Sequence, residues 1–359
     1  MTRFAFLIHP LKPRDVAKYY PVAKYVPIPI LKAFLRKKRP GVLSEITGIV
    51  SKTGATTEGW FIGLPLTAAQ LAGDIPTEES YDRIVQCAEL AHEQGAALLG
   101  LGAFSSVVGD GGITIAQRSP LKITTGNSYT VATAIQGTRL ACERVGIHPR
   151  EATLAVIGAT GSIGKTCARV LAPDFARTIL IGRDLERTQA VADELPRAEA
   201  TTDVERLKEA DAVVTVTSAG KDLIFPRHLK AGAVVCDVAR PRDVSVAVGK
   251  ERPDVLVIEG GVIRVPGDVN WNFDFGFPER TAYACMSETI LLALENDPTK
   301  FDFTLGKDVT VAQVDEMIRL ADKHGFELAS FRSFEREVSE EAIDRARRAR
   351  GLTPAPVTV

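Results

Sequence analysis

The stretch TLAVIGATGSIGKTCARVLA, residues 153–172, constrains the fold more than any other feature of the chain. An apolar run leads directly into Gly158, Gly161 and Gly164, three residues apart, and a helical pattern begins at about Ser162. Glycines suit such a turn because the strand must reverse sharply, the backbone must approach a pyrophosphate, and the helix must pack closely on its strand. The free N–H groups at the helix start then face the phosphates. Behind the loop come RTILIGR (177–183), LERTQAVADEL (185–195), DAVVTVT (211–217), AVVCDV (233–238) and VLVIEGG (255–261). Strands that are apolar throughout, separated by amphipathic helices, require a parallel sheet covered on both faces. The fold class is therefore α/β: a Rossmann-type doubly wound parallel sheet plus a second α/β substrate domain.

With 359 residues the chain suits more than one core. The change of pattern near His148 to Ala152 gives a substrate-binding α/β domain at 1–150 with a basic N-terminal segment. An NADP-binding Rossmann domain follows at 151–277, and C-terminal helices that pack back on the cleft at 278–359. In the first domain, residues 41–66 read as a hairpin turned at Lys-Thr-Gly and followed by a strand. Residues 77–94 read as a helix with Thr77 placed to cap it, AALLGLGAFSSVVGDGG as a strand dissolving into glycines, and 120–146 as a loop, PLKITTGNS, and then a helix. The charges of the tail FEREVSEEAIDRARRAR alternate in sign, which suits a solvated helix.

The glycine loop makes Gly158, Ala159, Thr160, Gly161, Ser162, Ile163 and Gly164 the candidate dinucleotide-binding residues. A dinucleotide with free ribose hydroxyls calls for an acid at the end of the second strand, whereas a 2′-phosphate calls for arginine. This strand ends Ile181-Gly182-Arg183 with Arg187 one turn on, which selects NADPH, and Asp184 serves a ribose only if the register is one residue off. The loops 217–221 and 237–243 should border the nicotinamide, where Asp237 and Arg240 either act or brace the loop.

The net charge of −1 points to no nucleic-acid partner. Residues 11–40 nevertheless carry nine Lys or Arg against Asp15 alone. A cluster ending FLRKKRP, with Lys37, Lys38 and Arg39, suits an acidic carrier protein or peripheral contact with an anionic membrane, or is simply a solvated basic flap. The five cysteines are scattered, with no C-x-x-C pair, so neither a disulfide framework nor a metal site is indicated, which fits a cytoplasmic protein. YYPVAKYVPIPILKAFL is too interrupted to span a membrane.

PERTAYACMSETILLALE, residues 278–295, reads as a helix entered at Pro278, which puts Cys285 in its second turn. A lone cysteine in such a pattern is ordinarily a small buried hydrophobe, and three functional readings stay open on residues alone. In the first the chain resembles shikimate dehydrogenases, although their N-V-T-x-P-x-K lysine and N-T-D aspartate are missing, and TTGNSYT offers Asn127, Ser128 and Thr130 without an acid. In the second Cys285 attacks an acyl thioester and the acyl group is reduced to an aldehyde, with Glu288 one turn on either holding a proton or facing solvent. In the third the chain binds NADP without chemistry.

Six segments in order shift this balance: SEITGIVSKTG (44–54), LGLGAFSSVV with TTGNSYT, AVIGATGSIG, EGGVI (259–263), PERTAYACMSETILLALE, and FTLGKDVTVAQVDEMIRLADKHGF (303–326). Over most of residues 41–326 the chain resembles the long-chain acyl-[acyl-carrier-protein] reductases described mainly from cyanobacteria. That resemblance implies that Cys285 is the acylated nucleophile, that Gly158, Gly161, Gly164 and Arg183 serve NADPH, and that an acyl-carrier-protein or acyl-CoA thioester becomes a fatty aldehyde.

Overall fold

A computed structural model describes residues 1–18, 20–274 and 276–353. The chain forms two compact units. The first is Met1–Tyr129 with Ile263–Lys307 and Glu316–Glu327, and the second is Thr130–Val262 with Asp308–Asp315 and the chain from Leu328.

The first unit is built on a six-stranded sheet in the order Gly267–Asn270, Gly41–Val50, Thr56–Gly63, Phe4–Ile8, Leu98–Gly100, Lys122–Thr124. Phe4–Ile8 runs parallel to both of its neighbours, and Leu98–Gly100 runs parallel to Lys122–Thr124. Gly41–Val50 and Thr56–Gly63 form the anticipated hairpin, with the second of them serving as the strand expected after it. The helix Thr77–Glu93 buries Tyr81, Ile84, Cys87, Ala88 and Ala91 on one stripe. Thr77 is its first helical residue rather than its cap, because Pro76 holds the N-cap position in an extended conformation.

The second unit carries a six-stranded, fully parallel sheet in the order Leu256–Glu259, Val234–Asp237, Ala212–Thr215, Thr153–Ile157, Arg177–Ile181, Ala198–Thr201. The chain therefore leaves its first strand to one side and returns to start the other side next to it, which is the doubly wound order. Its crevice lies beyond the carboxyl ends of Thr153–Ile157 and Ala212–Thr215, the point where the winding reverses. Ala198–Thr201 escapes the sequence pattern because it is a short, half-buried edge strand with two polar residues.

Residues 278–359, anticipated as one C-terminal block, are divided between the two units. The helix Ala284–Glu295 explains why: Met286 through Leu294 are all buried, so it needs cover on every side and lies among the strands of the first unit. The first unit also closes at Tyr129 rather than near 150, within the helix Asn127–Val145, whose Ala134 carbonyl faces Cys236 Sγ at 3.9 Å in the second. The tail helix is Glu340–Ala349, capped by Ser339 and buried at Ile343 and Ala346.

Candidate functional site

The helix bearing Cys285 starts six residues later than its sequence suggests. Arg280 sits at φ +59°, which a right-handed helix does not admit, and Thr281–Tyr283 is a short strand. The helix begins at Ala284, so Cys285 is its second residue, in the first turn rather than the second. That position has no intrahelical acceptor for its backbone N–H, and no side chain caps this helix. The backbone N–H groups of Met286, Cys285 and Ala103 favour the Cys285 thiolate. Ala103 stands at φ +49°, a conformation a side chain rarely adopts. Burial outweighs these donors and the Glu288 charge adds to it, so the thiol is pushed up to about 12. Even so, Cys285 alone of the five cysteines keeps partial exposure, while Cys87, Cys142, Cys167 and Cys236 are buried.

Gly126 packs directly on Cys285. It adopts φ +72°, and a Cβ there would overlap the Cα and Cβ of Cys285. One turn along the helix, Glu288 is buried rather than facing solvent. Its carboxylate accepts Thr124 Oγ1–H at 2.6 Å and the Tyr129 N–H at 2.8 Å, at the start of the helix Asn127–Val145. Burial raises its pKa against the pull of these donors. The segment TTGNSYT, which contains no acid of its own, therefore receives one from a helix far along the chain. Ser128 Oγ pairs with Thr304 Oγ1 at 2.7 Å, and Asn127 is buried beside it. Three segments of the resemblance thus converge on one sulfur. Sequence reasoning missed Ala103 and Gly126, and it named Glu288 without its partners Thr124 and Tyr129, because each acts through the backbone or through a contact distant in sequence. The glycines in GLGAF and TTGNS were the available signal.

In the second unit, the strand Thr153–Ile157 turns at Gly158 (φ +81°) into the helix Ser162–Leu171. A Cβ on Gly158 would lie 2.8 Å from the Val216 carbonyl oxygen, and one on Gly164 would collide with the Gly158 carbonyl. A Cβ on Gly161 would meet only the Gly158 oxygen, at 3.3 Å, so the space beyond it is open. No side chain caps this helix, which leaves the early N–H groups, those of Ser162 and Ile163 among them, without intrahelical acceptors. An open glycine face in front of an uncapped helix start, with Ala159 and Thr160 forming the turn, fits a dinucleotide pyrophosphate.

Asp184 is the N-cap of Leu185–Ala192 and accepts the Arg187 N–H at 3.1 Å. The strand register thereby presents Arg183 and Arg187, whose exposed guanidinium groups have no carboxylate partner among the described residues. Asp237 and Arg240 brace their loop. Asp237 is buried, pushed up to about 6 by burial, and accepts the N–H groups of Ala239 and Val244 at 3.1 and 3.0 Å. Arg240 donates to the Ala239 carbonyl at 2.8 Å and faces Glu259 at 3.4 Å.

Residues 139–259, most of the second unit, match the family described as shikimate / quinate 5-dehydrogenase. The chain is 34% identical over 311 residues to an aminotransferase, PigE, from Serratia sp., covering 83% of this chain and 35% of that protein. It thus spans about a third of the length of that relative. It is 27% identical over 302 residues to a long-chain acyl-[acyl-carrier-protein] reductase of Synechococcus elongatus, covering 80% of this chain and 87% of that one. Among solved structures, a quinate dehydrogenase from Corynebacterium glutamicum in complex with NAD aligns at TM-score 0.35 and 12% identity, over 89% of this chain and 98% of that one. An L-tryptophan dehydrogenase from Nostoc punctiforme aligns at 0.42 and 12%, over 97% and 86%. The chain is a mixed α/β protein with a Rossmann-like parallel sheet, distantly similar to an acyl-[acyl-carrier-protein] reductase.

Proposed function

We propose that the chain is an NADPH-dependent reductase that converts a long-chain acyl thioester, on acyl carrier protein or coenzyme A, to a fatty aldehyde through a thioester on Cys285. The observation that carries this reading is the cradle of Cys285: the one partly exposed cysteine stands in the uncapped first turn of a helix, with Gly126 packed directly against it. The distant similarity to the Synechococcus reductase supports it. The aminotransferase name of the Serratia protein belongs to a chain of which the match covers 35%, and it is not carried over.

With its pKa held at about 12, the resting thiol is protonated at neutral pH. Attack therefore proceeds with loss of that proton. The Sγ–carbon bond forms, the carbon–sulfur bond to the carrier breaks, and the proton leaves with the carrier thiol. The N–H groups of Ala103, Cys285 and Met286 stabilise the thiolate as it develops. Glu288 positions the floor of the site by holding Thr124 and Tyr129, which keeps Gly126 against the nucleophile. In the second unit the loop Gly158–Gly164 would hold the pyrophosphate, and Arg183 and Arg187 the 2′-phosphate. NADPH would supply the hydride that this reading requires, and with one proton the Cys285 thioester would give aldehyde and free thiol. Five unpaired thiols suit a cytoplasmic setting.

Intact-protein mass spectrometry after incubation with a long-chain acyl-CoA tests the reading. The wild type should gain one acyl mass, NADPH should discharge it with release of aldehyde, and Cys285→Ala should gain none. Equal acylation of both proteins would overturn it.

A second reading, an NADP-dependent alcohol dehydrogenase, is favoured by the family match over 139–259. It predicts NADP-dependent oxidation of hydroxyl substrates that survives Cys285→Ala.

A further inference from the structure

The described residues between 13 and 38 form a flap with a core of its own: Val16, Ala17, Ala23, Leu31 and Leu35 are buried together, with Val26 packed against them. Its helix, Ile28–Lys37, sends Leu31 and Leu35 inward. The opposite face and the preceding turn leave large apolar side chains in solvent. Tyr25 is 86% exposed, Val22 69%, Ile30 60% and Phe34 57%, joined by Tyr20 and Ile28. Among the described residues, every exposed aromatic in the set of exposed large hydrophobics, Tyr20, Tyr25 and Phe34, lies on this one flap. Isolated exposed apolar residues are ordinary, but a cluster rimmed by charge marks a surface that meets something.

The charges sort by face. Lys32 pairs with Asp74 at 2.8 Å and Arg36 with Glu79, and Arg83 donates to the Lys38 carbonyl, so these contacts fasten the flap to its unit. Lys24, Lys37, Lys38 and Arg39 have no carboxylate partner among the described residues, and no acid occurs anywhere from Val16 to Ser44. Lys38 instead lies over the Tyr20 ring, 4.2 Å from its centroid, which brings the cationic helix end against the aromatic turn. Aromatic and aliphatic side chains beside unpaired cations, on a segment with no acids, have the chemistry of a surface that lies in the boundary of an anionic bilayer.

We propose that this flap docks the protein on anionic lipid surfaces, with Tyr25, Ile30 and Phe34 entering the acyl boundary and Lys24, Lys37 and Arg39 meeting the headgroups. Among the described residues no helix is long and apolar enough to cross a membrane, so the contact is peripheral. Exposed aromatic and aliphatic side chains beside unpaired cations, on a segment without acids, match the apolar and headgroup layers of a bilayer boundary, which favours lipid over an acidic protein. The proposal stands on the flap alone and does not depend on the reading of Cys285.

Sedimentation of the full chain with vesicles of phosphatidylcholine, with and without about a third phosphatidylglycerol, tests it at low salt. The wild type should bind the anionic vesicles at least about tenfold more strongly than the neutral ones, and added salt should weaken this. The Ile30→Ser/Phe34→Ser and Lys37→Glu/Arg39→Glu variants each should lose about tenfold, with circular dichroism and melting temperature unchanged because all four positions are exposed. Failure of the wild type to bind anionic vesicles would overturn the proposal, as would binding by both variants as strong as that of the wild type. Loss in the charge variant alone, with a raised KM for a carrier-linked substrate and none for its coenzyme A counterpart, would assign the flap to an acidic carrier instead.

Discussion

The glycine loop of the second unit and the cysteine cradle of the first are written into the chain in opposite ways. The loop is contiguous: seven residues, Gly158 to Gly164, make the turn, the close approach and the helix start with their own backbone. The cradle is assembled from Ala103, from Thr124 to Tyr129 and from Cys285 to Glu288, and it exists only after the strands Leu98–Gly100 and Lys122–Thr124 have paired. The role proposed for the loop needs only the absence of side chains. The role proposed for the cradle needs distant parts to arrive together.

Glycine substitutions separate the two most sharply. Gly126→Ala forces a side chain into the left-handed region and onto the backbone of Cys285, and should cost about 3 kcal/mol or more. Gly161→Ala meets one oxygen at 3.3 Å and should stay within about 1 kcal/mol of wild type, yet weaken NADPH binding by filling the open approach. Urea denaturation and NADPH titration of both variants would show whether the contrast holds, and equal stability losses would break it.

A smaller effect is expected at the anchor of the cradle. Glu288→Ala leaves two buried donors, Thr124 Oγ1–H and the Tyr129 N–H, without their acceptor, at about 2 kcal/mol. Glu288 also leaves a pH signature. Burial raises its folded pKa, so the folded state keeps this proton to higher pH than the unfolded state does. Its contribution is full below the unfolded value, about 4.3, and is lost as pH rises through the folded one. Glu288→Gln does not titrate, so its stability relative to wild type should improve as pH rises from about 4 to 8. A gap independent of pH would mean that the carboxylate keeps its charge throughout.

The mildest change belongs to the loop side. Arg183→Ala or Arg187→Ala should raise the KM for NADPH about tenfold, about 1.4 kcal/mol, and leave that for NADH unchanged. Equal losses with both dinucleotides would remove the 2′-phosphate from the account.

The same division governs what the sequence discloses. The parallel sheet was legible because its central strands, Thr153–Ile157, Ala212–Thr215 and Val234–Asp237, are buried on both faces and read as unbroken apolar runs. Asp184, left open as a ribose partner by the sequence, is the cap of the helix Leu185–Ala192 in the structure. The start of the cysteine helix was illegible, since Pro278 with charged neighbours imitates a helix entry and only the turn at Arg280, with a strand partner elsewhere, prevents it. Glu288 was named by its place one turn beyond Cys285, but its burial was not legible, because a charged residue near a helix start resembles solvent-facing decoration until the fold covers it.

The partly sheltered sulfur also bears on durability. Peroxide attacks thiolates, and a thiol held at about 12 offers almost none at neutral pH, so Cys285 at rest should resist oxidation to sulfenic acid. The four sealed cysteines lie beyond the reach of oxidants while the fold is intact. Chemical ageing of this molecule should therefore follow unfolding, that of the first unit for Cys87 and Cys285 and that of the second for Cys142, Cys167 and Cys236, and an agent that steadies either unit would lengthen its working life without touching a sulfur.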